Sequence, residues 1–158
     1  MLKYFDEIIE RVLEHEGGYV NDPNDLGGET KYGITKRFYP DIDIKNLTKE
    51  EAKQIYYKDY WKKNKCDKIP DKLKHIYFDM TINMGRKTAS KVLQRASNNK
   101  GMDLEIDGML GPNTFKAIEK LETERVRAYR IKYYVDLINK RPEQEKFYFG
   151  WFRRSLQV

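Results

Sequence analysis

Glu14 to Thr35 reads EHEGGYVNDPNDLGGETKYGIT, an amphipathic helical pattern that stops at Gly17 and Gly18 and gives way to a turn-rich acidic loop. Within it, Glu16, Asp25 and Thr30 are spaced as Glu, eight residues, Asp, four residues, Thr. Two carboxyl groups and a hydroxyl on one loop suit acid–base chemistry, provided that one carboxyl keeps its proton near neutral pH while the other stays ionised. Glu16 ends a helical pattern, where unsatisfied carbonyls place roughly half a negative charge and favour the protonated acid. Asp25 lies in a polar, glycine-rich turn that suits the ionised form. Gly17 and Gly18 can adopt positive φ, ending the helix and leaving room for close approach. Tyr19 and Tyr32 flank the loop as candidate aromatic faces for a bound substrate. Asp22, three residues before Asp25, is the alternative carboxylate, and Thr30 also suits a plain strand position.

The order helix, Glu, Gly-Gly-Tyr, Asp-Pro, Asp, Gly-Gly, Thr, Tyr-Gly-Ile-Thr resembles the opening motif of glycoside hydrolase family 108, muramidases that cleave peptidoglycan. The Glu/Asp/Thr spacing is also similar to that of phage-type lysozymes. The resemblance implies Glu16 as general acid, Asp25 as the residue that positions or activates water, and Thr30 as third member. It further implies an α+β, predominantly α-helical, lysozyme-like fold with a small β-hairpin element near the N-terminus. If Asp25 places water on the face opposite Glu16, the carboxyls are expected ~6.5–9.5 Å apart and the product inverted.

Other site chemistries fit poorly. Counted from Asp22, an EF-hand loop would need an oxygen ligand at Leu26 and a bidentate Glu at Gly33, and counted from Asp103 it would need that Glu at Thr114. With two His and one Cys, a zinc site is not expected either, and neither metal nor cofactor is predicted. The loop lacks the GxxxxGK[ST] phosphate cradle.

The remaining elements follow from periodicity. Phe5, Ile8, Ile9, Val12 and Leu13 share one face of a helix over residues 1–16. Tyr19–Thr35 reads as short strands or a hairpin. Thr48 and Glu51 form a capping box, with Leu47 and Ala52 as staple, which predicts a helix from Lys49 through Trp61. After Pro70, Leu73, Ile76, Tyr77 and Met80 mark another helix ending at Gly85, and Ala89, Val92, Leu93 and Ala96 a further one. A loop at 98–101 follows, then Pro112 at a helix start with Phe115, Ile118 and Leu121. The chain is expected to form a catalytic lobe, 1–70, and a helical lobe, 71–158, packed as one compact unit.

FDMTINMGRKTASKVLQRA and IDGMLGPNT in the second half resemble the predicted peptidoglycan-binding region that accompanies the family's catalytic part. Asp107 to Thr114 is similar to a turn of peptidoglycan-binding modules, and its glycines and proline equally suit a structural turn. Asp79 and Asn83, one helical turn apart, are candidates to hydrogen-bond sugar or peptide groups in a cleft; alternatively Asn83 helps end its helix.

Composition sets the remaining bounds. The 158 residues carry 12 Tyr and 7 Phe, with 35% charged residues. Lone Cys66 excludes an intrachain disulfide and is expected to be structural. Residues 125–158 hold nine Lys or Arg against three Asp or Glu, an excess equal to the whole chain's net +6. Arg125, Arg127, Arg130, Lys132 and Lys140 are expected to form a basic helix face that attracts the anionic wall, with much of the Phe147–Phe152 aromatic cluster in the core. Without a nucleic-acid motif, that charge does not point to nucleic acid. No run approaches the ~20 apolar residues of a membrane span. The N-terminus shows no signal-peptide pattern, which implies synthesis in the cytoplasm and delivery to the wall in the periplasm by a holin or secretion system. Monomer is the expected state.

The resemblance thus implies a lysozyme-type N-acetylmuramidase acting on bacterial peptidoglycan, of the phage endolysin type. A lytic transglycosylase, or a non-catalytic wall-binding module, are the alternatives.

Overall fold

The structure, a computed structural model, describes residues 2–158, and for Leu2, His15 and Glu16 the helical backbone alone. The chain divides into two units, residues 1–63 and 64–158. The segment 64–70 groups with the second unit because Asn64, Cys66 and Ile69 are buried there and the Asn64 carbonyl accepts a bond from the Tyr77 hydroxyl.

In the first unit, α1 (Leu2–Glu16) buries the expected face, Phe5, Ile8, Ile9, Val12 and Leu13. A three-stranded antiparallel sheet follows, β1 (Val20–Asn21), β2 (Glu29–Lys31) and β3 (Ile34–Thr35), in the order β1-β2-β3. Val20 pairs with Thr30, Thr30 with Thr35, and Lys31 with Ile34. The β2–β3 turn places both Tyr32 (φ 52°) and Gly33 (φ 73°) in the left-handed region, as a tight two-residue hairpin requires. Tyr32 is an unusual occupant of that region; its carbonyl accepts the hydroxyl of buried Tyr56 at 2.9 Å, which holds the turn in place.

Helix α2 (Lys49–Tyr56) begins at the capping box: the Glu51 amide donates to Thr48 Oγ1 at 3.2 Å and the Thr48 amide to Glu51 Oε2 at 2.8 Å. The α-helix ends earlier than its pattern predicts, continuing through Tyr57–Lys62 as a π-helical turn. A π turn inserts one residue and rotates the face that follows. Here it accompanies full burial of Trp61, whose ring meets Phe5 edge-on at 5.5 Å, with Tyr57 edge-on to Phe5 at 5.1 Å. Lys49 and Lys53 both pair with Glu10, fastening α2 to α1.

The second unit is helical. Its elements are a 3-10 turn (Cys66–Lys68), α3 (Asp71–Met84), α4 (Arg86–Asn99), α5 (Pro112–Ile118), α6 (Thr123–Lys140), a second 3-10 turn (Pro142–Phe147) and α7 (Tyr148–Gln157). Gly85, at φ 82°, breaks α3 from α4 as its sequence position suggests. Helix α3 is central, buried from Ile76 through Thr81, and packs against α4 and α6, while α7 lies on α6. Cys66 is buried, and burial pushes its thiol pKa up.

The chain's C-terminal part departs from two expectations. Of the aromatic cluster, Phe149 is 70% and Phe147 46% exposed, and Ser155 is the buried residue of α7. The inner face of α7 is spent on polar contacts: Arg127 Nε donates to the Ser155 carbonyl at 3.0 Å, and Arg154 reaches Asp79. Trp151 stacks on Tyr134 at 4.8 Å. Nor do the basic residues of α6 form a free cationic face. Arg130 is buried, Arg125 pairs with Glu122, Lys132 with Asp136, and Arg127 binds the Ser155 and Val158 carbonyls.

Inside this unit Asp79 sits between two guanidinium groups. Arg130 Nη2 donates to Oδ2 at 2.6 Å, and Arg154 Nη2 to Oδ1 at 2.9 Å. Burial alone would raise the Asp79 pKa; the bonds from Arg154 and the charges of Arg130 and Arg154 outweigh it and hold the carboxyl below its ordinary value of 3.8. Arg130 Nε and Nη1 are buried without a hydrogen-bond partner among the described residues. Removing the carboxylate would leave a buried, uncompensated cation, a change that typically costs ~3–5 kcal/mol. Asp79→Asn is therefore expected to lower the unfolding free energy by about that amount in urea titrations. A group whose pKa is depressed on folding stabilises fully above its unfolded value and loses that contribution as pH falls through the folded value. The wild-type stability should accordingly drop as pH falls below about 3.8, and the Asp79→Asn protein should lack that part of the decline.

Candidate functional site

The acidic loop is organised by its own backbone. Gly17, at φ 73°, terminates α1 immediately after Glu16, whose backbone closes the helix and whose side chain lies outside the described residues. Two Asx turns then follow in succession. The Asn24 amide donates to Asp22 Oδ1 at 2.9 Å, and the Gly27 amide donates to Asp25 Oδ1 at 2.9 Å. Backbone bonds from Asp25 to the Asp22 carbonyl and from Gly28 to the Asp25 carbonyl, each 3.0 Å, close the same turns. Both aspartates are exposed, and Asp25 Oδ2 takes no hydrogen bond among the described residues.

Gly27 locks this turn to the sheet. A Cβ added there would stand 3.3 Å from Asp25 Oδ1 and 3.7 Å from the Thr35 methyl, so the Asp25 carboxylate lies beside β3. Thr35 in turn pairs with Thr30, the middle residue of β2. Gly27 thus lies close to both the Asp25 carboxylate and Thr35, the strand partner of Thr30. Asp22 holds the preceding turn in the same way, through one oxygen that accepts the Asn24 amide.

The two candidate aromatic residues are held differently. The Tyr19 hydroxyl donates to Glu29 Oε1 at 2.7 Å, a bond that pushes the phenol pKa up, and its ring remains 37% exposed. Tyr32 is fixed through its backbone, with Lys31 Nζ 5.6 Å from its ring centroid. Glu29 and Tyr56, which hold these two residues, carry no sequence signal of their own: a strand Glu and a helix Tyr are unremarkable until the fold pairs them.

In the second unit, Asp79 is placed in the interior rather than on a cleft. Both of its carboxylate oxygens are committed to Arg130 and Arg154, which corrects its reading as a sugar or peptide ligand. Asn83, one turn further along α3, is half-buried, and its Oδ1 accepts the Tyr134 hydroxyl, which sets the amide's NH2 end as donor.

The turn Asp107–Thr114 is built around Gln94. Its Nε2 donates to Asp107 Oδ1 at 2.8 Å and to the Met109 carbonyl at 3.0 Å, and its Oε1 accepts the Gly108 amide at 2.9 Å. Gly108 has φ 76°, and a Cβ there would meet the Lys87 carbonyl at 2.9 Å, so the glycine is required by structure. Gln94 is buried although it lies off the Ala89, Val92, Leu93 and Ala96 face, so the apolar pattern of α4 carries no signal for this hub.

Among the described residues, no group of three or more His, Cys, Asp or Glu is placed to hold a metal ion. No described helix is long and apolar enough to cross a membrane.

Comparison with known proteins agrees with this layout. Residues 9–85 match the family described as glycosyl hydrolase 108, and residues 88–156 match the predicted peptidoglycan domain. No curated protein sequence matches the chain. Among solved structures, that of Brucella abortus SagA is similar with a TM-score of 0.76 and 29% identity, over 99% of this chain and 92% of that one. The fold is α+β, predominantly helical and lysozyme-like, with its small antiparallel sheet near the N-terminus. The chain thus matches the glycosyl hydrolase 108 family over residues 9–85 and the predicted peptidoglycan domain over residues 88–156, the arrangement of a glycoside hydrolase that acts on peptidoglycan.

Proposed function

We propose that the protein is an N-acetylmuramidase that cleaves the β-1,4 bond between N-acetylmuramic acid and N-acetylglucosamine, in the manner of a phage-type endolysin. The observation that carries the reading is the Asp25 turn. One carboxylate oxygen is held by the Gly27 amide while the residue stays exposed and its other oxygen takes no hydrogen bond among the described residues.

In this reading Glu16, at the C-terminal end of α1, protonates the glycosidic oxygen so that the departing sugar leaves as an alcohol, while positive charge develops at the anomeric carbon of the ring that stays behind. Asp25 accepts a proton from a water molecule on the opposite face, and that water's oxygen bonds to the anomeric carbon. The Thr30 hydroxyl helps to hold the water. Tyr19 and Tyr32 offer ring faces to the glycan, and the Asn83 amide donates to a sugar or peptide carbonyl. Asp79 acts one step removed, keeping the helices that carry Asn83 and Tyr134 in register. The helical second unit would hold the enzyme on the wall. A lytic transglycosylase needs the acid but no activated water, so its products would end in anhydro sugars. The exposed second oxygen of Asp25 favours hydrolysis over that alternative and over a non-catalytic wall-binding module.

Mass spectrometry of fragments released from purified peptidoglycan tests the assignment. The wild type is expected to release fragments ending in reducing N-acetylmuramic acid, and Glu16→Gln to lose ~100-fold or more of that activity with its fold retained. Anhydro ends would instead establish a transglycosylase, and no fragments from folded protein a binding module. Asp25 yields a sharper pair of variants. Asp25→Asn keeps an oxygen for the Gly27 amide and should unfold like the wild type yet lose most turnover. Asp25→Ala, which also removes the turn's acceptor, should in addition destabilise the protein by ~0.5–1.5 kcal/mol. Equal turnover in Asp25→Asn and the wild type would remove Asp25 from the mechanism. Attack from the opposite face also requires the initial product to be the inverted α anomer, detectable by NMR within the first turnovers.

A further inference from the structure

A pocket of about 510 Å³ in the first unit lies outside the loop described above, lined by Tyr39, Ile42, Asp43, Leu47, Glu51, Asp59 and their neighbours. Its position is fixed by the same sheet. The Tyr39 amide donates to the Thr35 carbonyl at 3.0 Å, Lys36 Nζ to the Ile42 carbonyl at 2.7 Å, and Lys31 Nζ to the Lys45 carbonyl at 3.0 Å. The pocket wall is therefore a direct continuation of β2 and β3.

Its chemistry is distinctive in a chain of net charge +6. Ile42, Leu47 and Ile55 supply apolar surface, and Asp43, Glu51 and Asp59 bring three carboxylates to the lining, with Lys58 among the lining residues and Lys36 close by, its charge acting on Asp43. These carboxylates are preorganised. Glu51 Oε2 is held by the Thr48 amide and hydroxyl, and Asp59 Oδ2 by the Tyr39 hydroxyl at 2.9 Å. Each keeps its other oxygen clear of hydrogen bonds among the described residues. Asp43 is fixed by Asn46. Bonds from Asn46 and from Thr48 hold the Asp43 and Glu51 carboxyls below their ordinary pKa values, so both are anionic at neutral pH. A complementary ligand carries a cation at the end of a short apolar chain.

We propose that this pocket binds the aliphatic amine of a peptidoglycan stem peptide, so that the enzyme engages its substrate through the peptide as well as the glycan. The amine would pair with Asp59 and Glu51 while its methylene chain lies on Ile42, Leu47 and Ile55. The choice of a wall peptide rests on the peptidoglycan-cleaving reading; the preference for an alkyl ammonium rests on the pocket alone.

The test is an NMR titration of the full-length protein with a synthetic stem tripeptide that ends in lysine, whose side chain is an alkyl ammonium, its N-terminus blocked as in the wall. Amide resonances of Asn46, Gln54 and Asp59 are expected to shift. Acetylating the side-chain amine, or using Asp59→Asn protein, should each weaken binding about fivefold, the effect of one partly exposed ion pair. Shifts confined to other parts of the chain, or equal affinity for the acetylated peptide, would overturn the proposal. Because binding is read without turnover, the two readings fail separately. An inactive protein that shows these shifts keeps the peptide site and loses the muramidase assignment, and an active one without them does the reverse.

Discussion

The acidic loop depends on a sheet too small to stand alone. Strands of two, three and two residues make few ladder bonds, and an isolated ribbon of that size is at best marginal in water. What stabilises it comes from outside. Ile34 is buried in the core of the first unit, the Tyr56 hydroxyl fixes the Tyr32 carbonyl at the hairpin tip, and two lysines tie β2 and the residue after β3 to the following loop. Tyr56 is itself rigid because the Thr48 capping box and the Glu10 ion pairs hold α2 against α1. Position therefore passes from helix to hairpin tip to strand to loop, each step carried by one or two polar bonds.

The second unit solves a different problem, keeping α3, α6 and α7 together around a charge. A buried carboxylate between two guanidinium groups brings little net stability against an apolar core of the same shape, but it penalises any arrangement that separates the three. Since Asp79, Arg130 and Arg154 come from three helices, the cluster fixes their mutual register. Tyr134, one turn along α6 from Arg130, is held between Asn83 and the stacked Trp151 by that same register.

What was legible in the sequence was local. The capping box at Thr48, the double glycine after Glu16, the break at Gly85 and the apolar faces of α1, α3 and α4 all act within a few residues, where spacing alone is decisive. The illegible features depend on distant partners. Asp79 and Asn83 share a helix face, as their spacing implies, but their partners lie 51 and 75 residues away, and only the fold shows that the face points inward. The aromatic run Phe147–Phe152 looks like core by composition, yet α7 turns Ser155 and Arg154 inward instead. The π turn at Tyr57–Lys62 has no residue signature, since its aromatic residues suit an ordinary α-helix equally well.

The candidate site raises a subtler question, because Asp25 has a structural task that would by itself justify an Asx residue. The turn needs an oxygen at Oδ1 to receive the Gly27 amide, and asparagine supplies one as well as aspartate does. Nothing in the turn requires the charge. No cation pairs with Asp25 among the described residues, and the carboxylate is exposed, so its charge contributes little to folding. Asp22 makes the equivalent Asx bond to Asn24 and differs only in placement, since it is Asp25 whose carboxylate lies against Gly27, near Thr35. The feature left without a structural use is thus a negative charge at residue 25, on an exposed turn next to the sheet. That is the property a water-activating carboxylate needs and a turn residue does not.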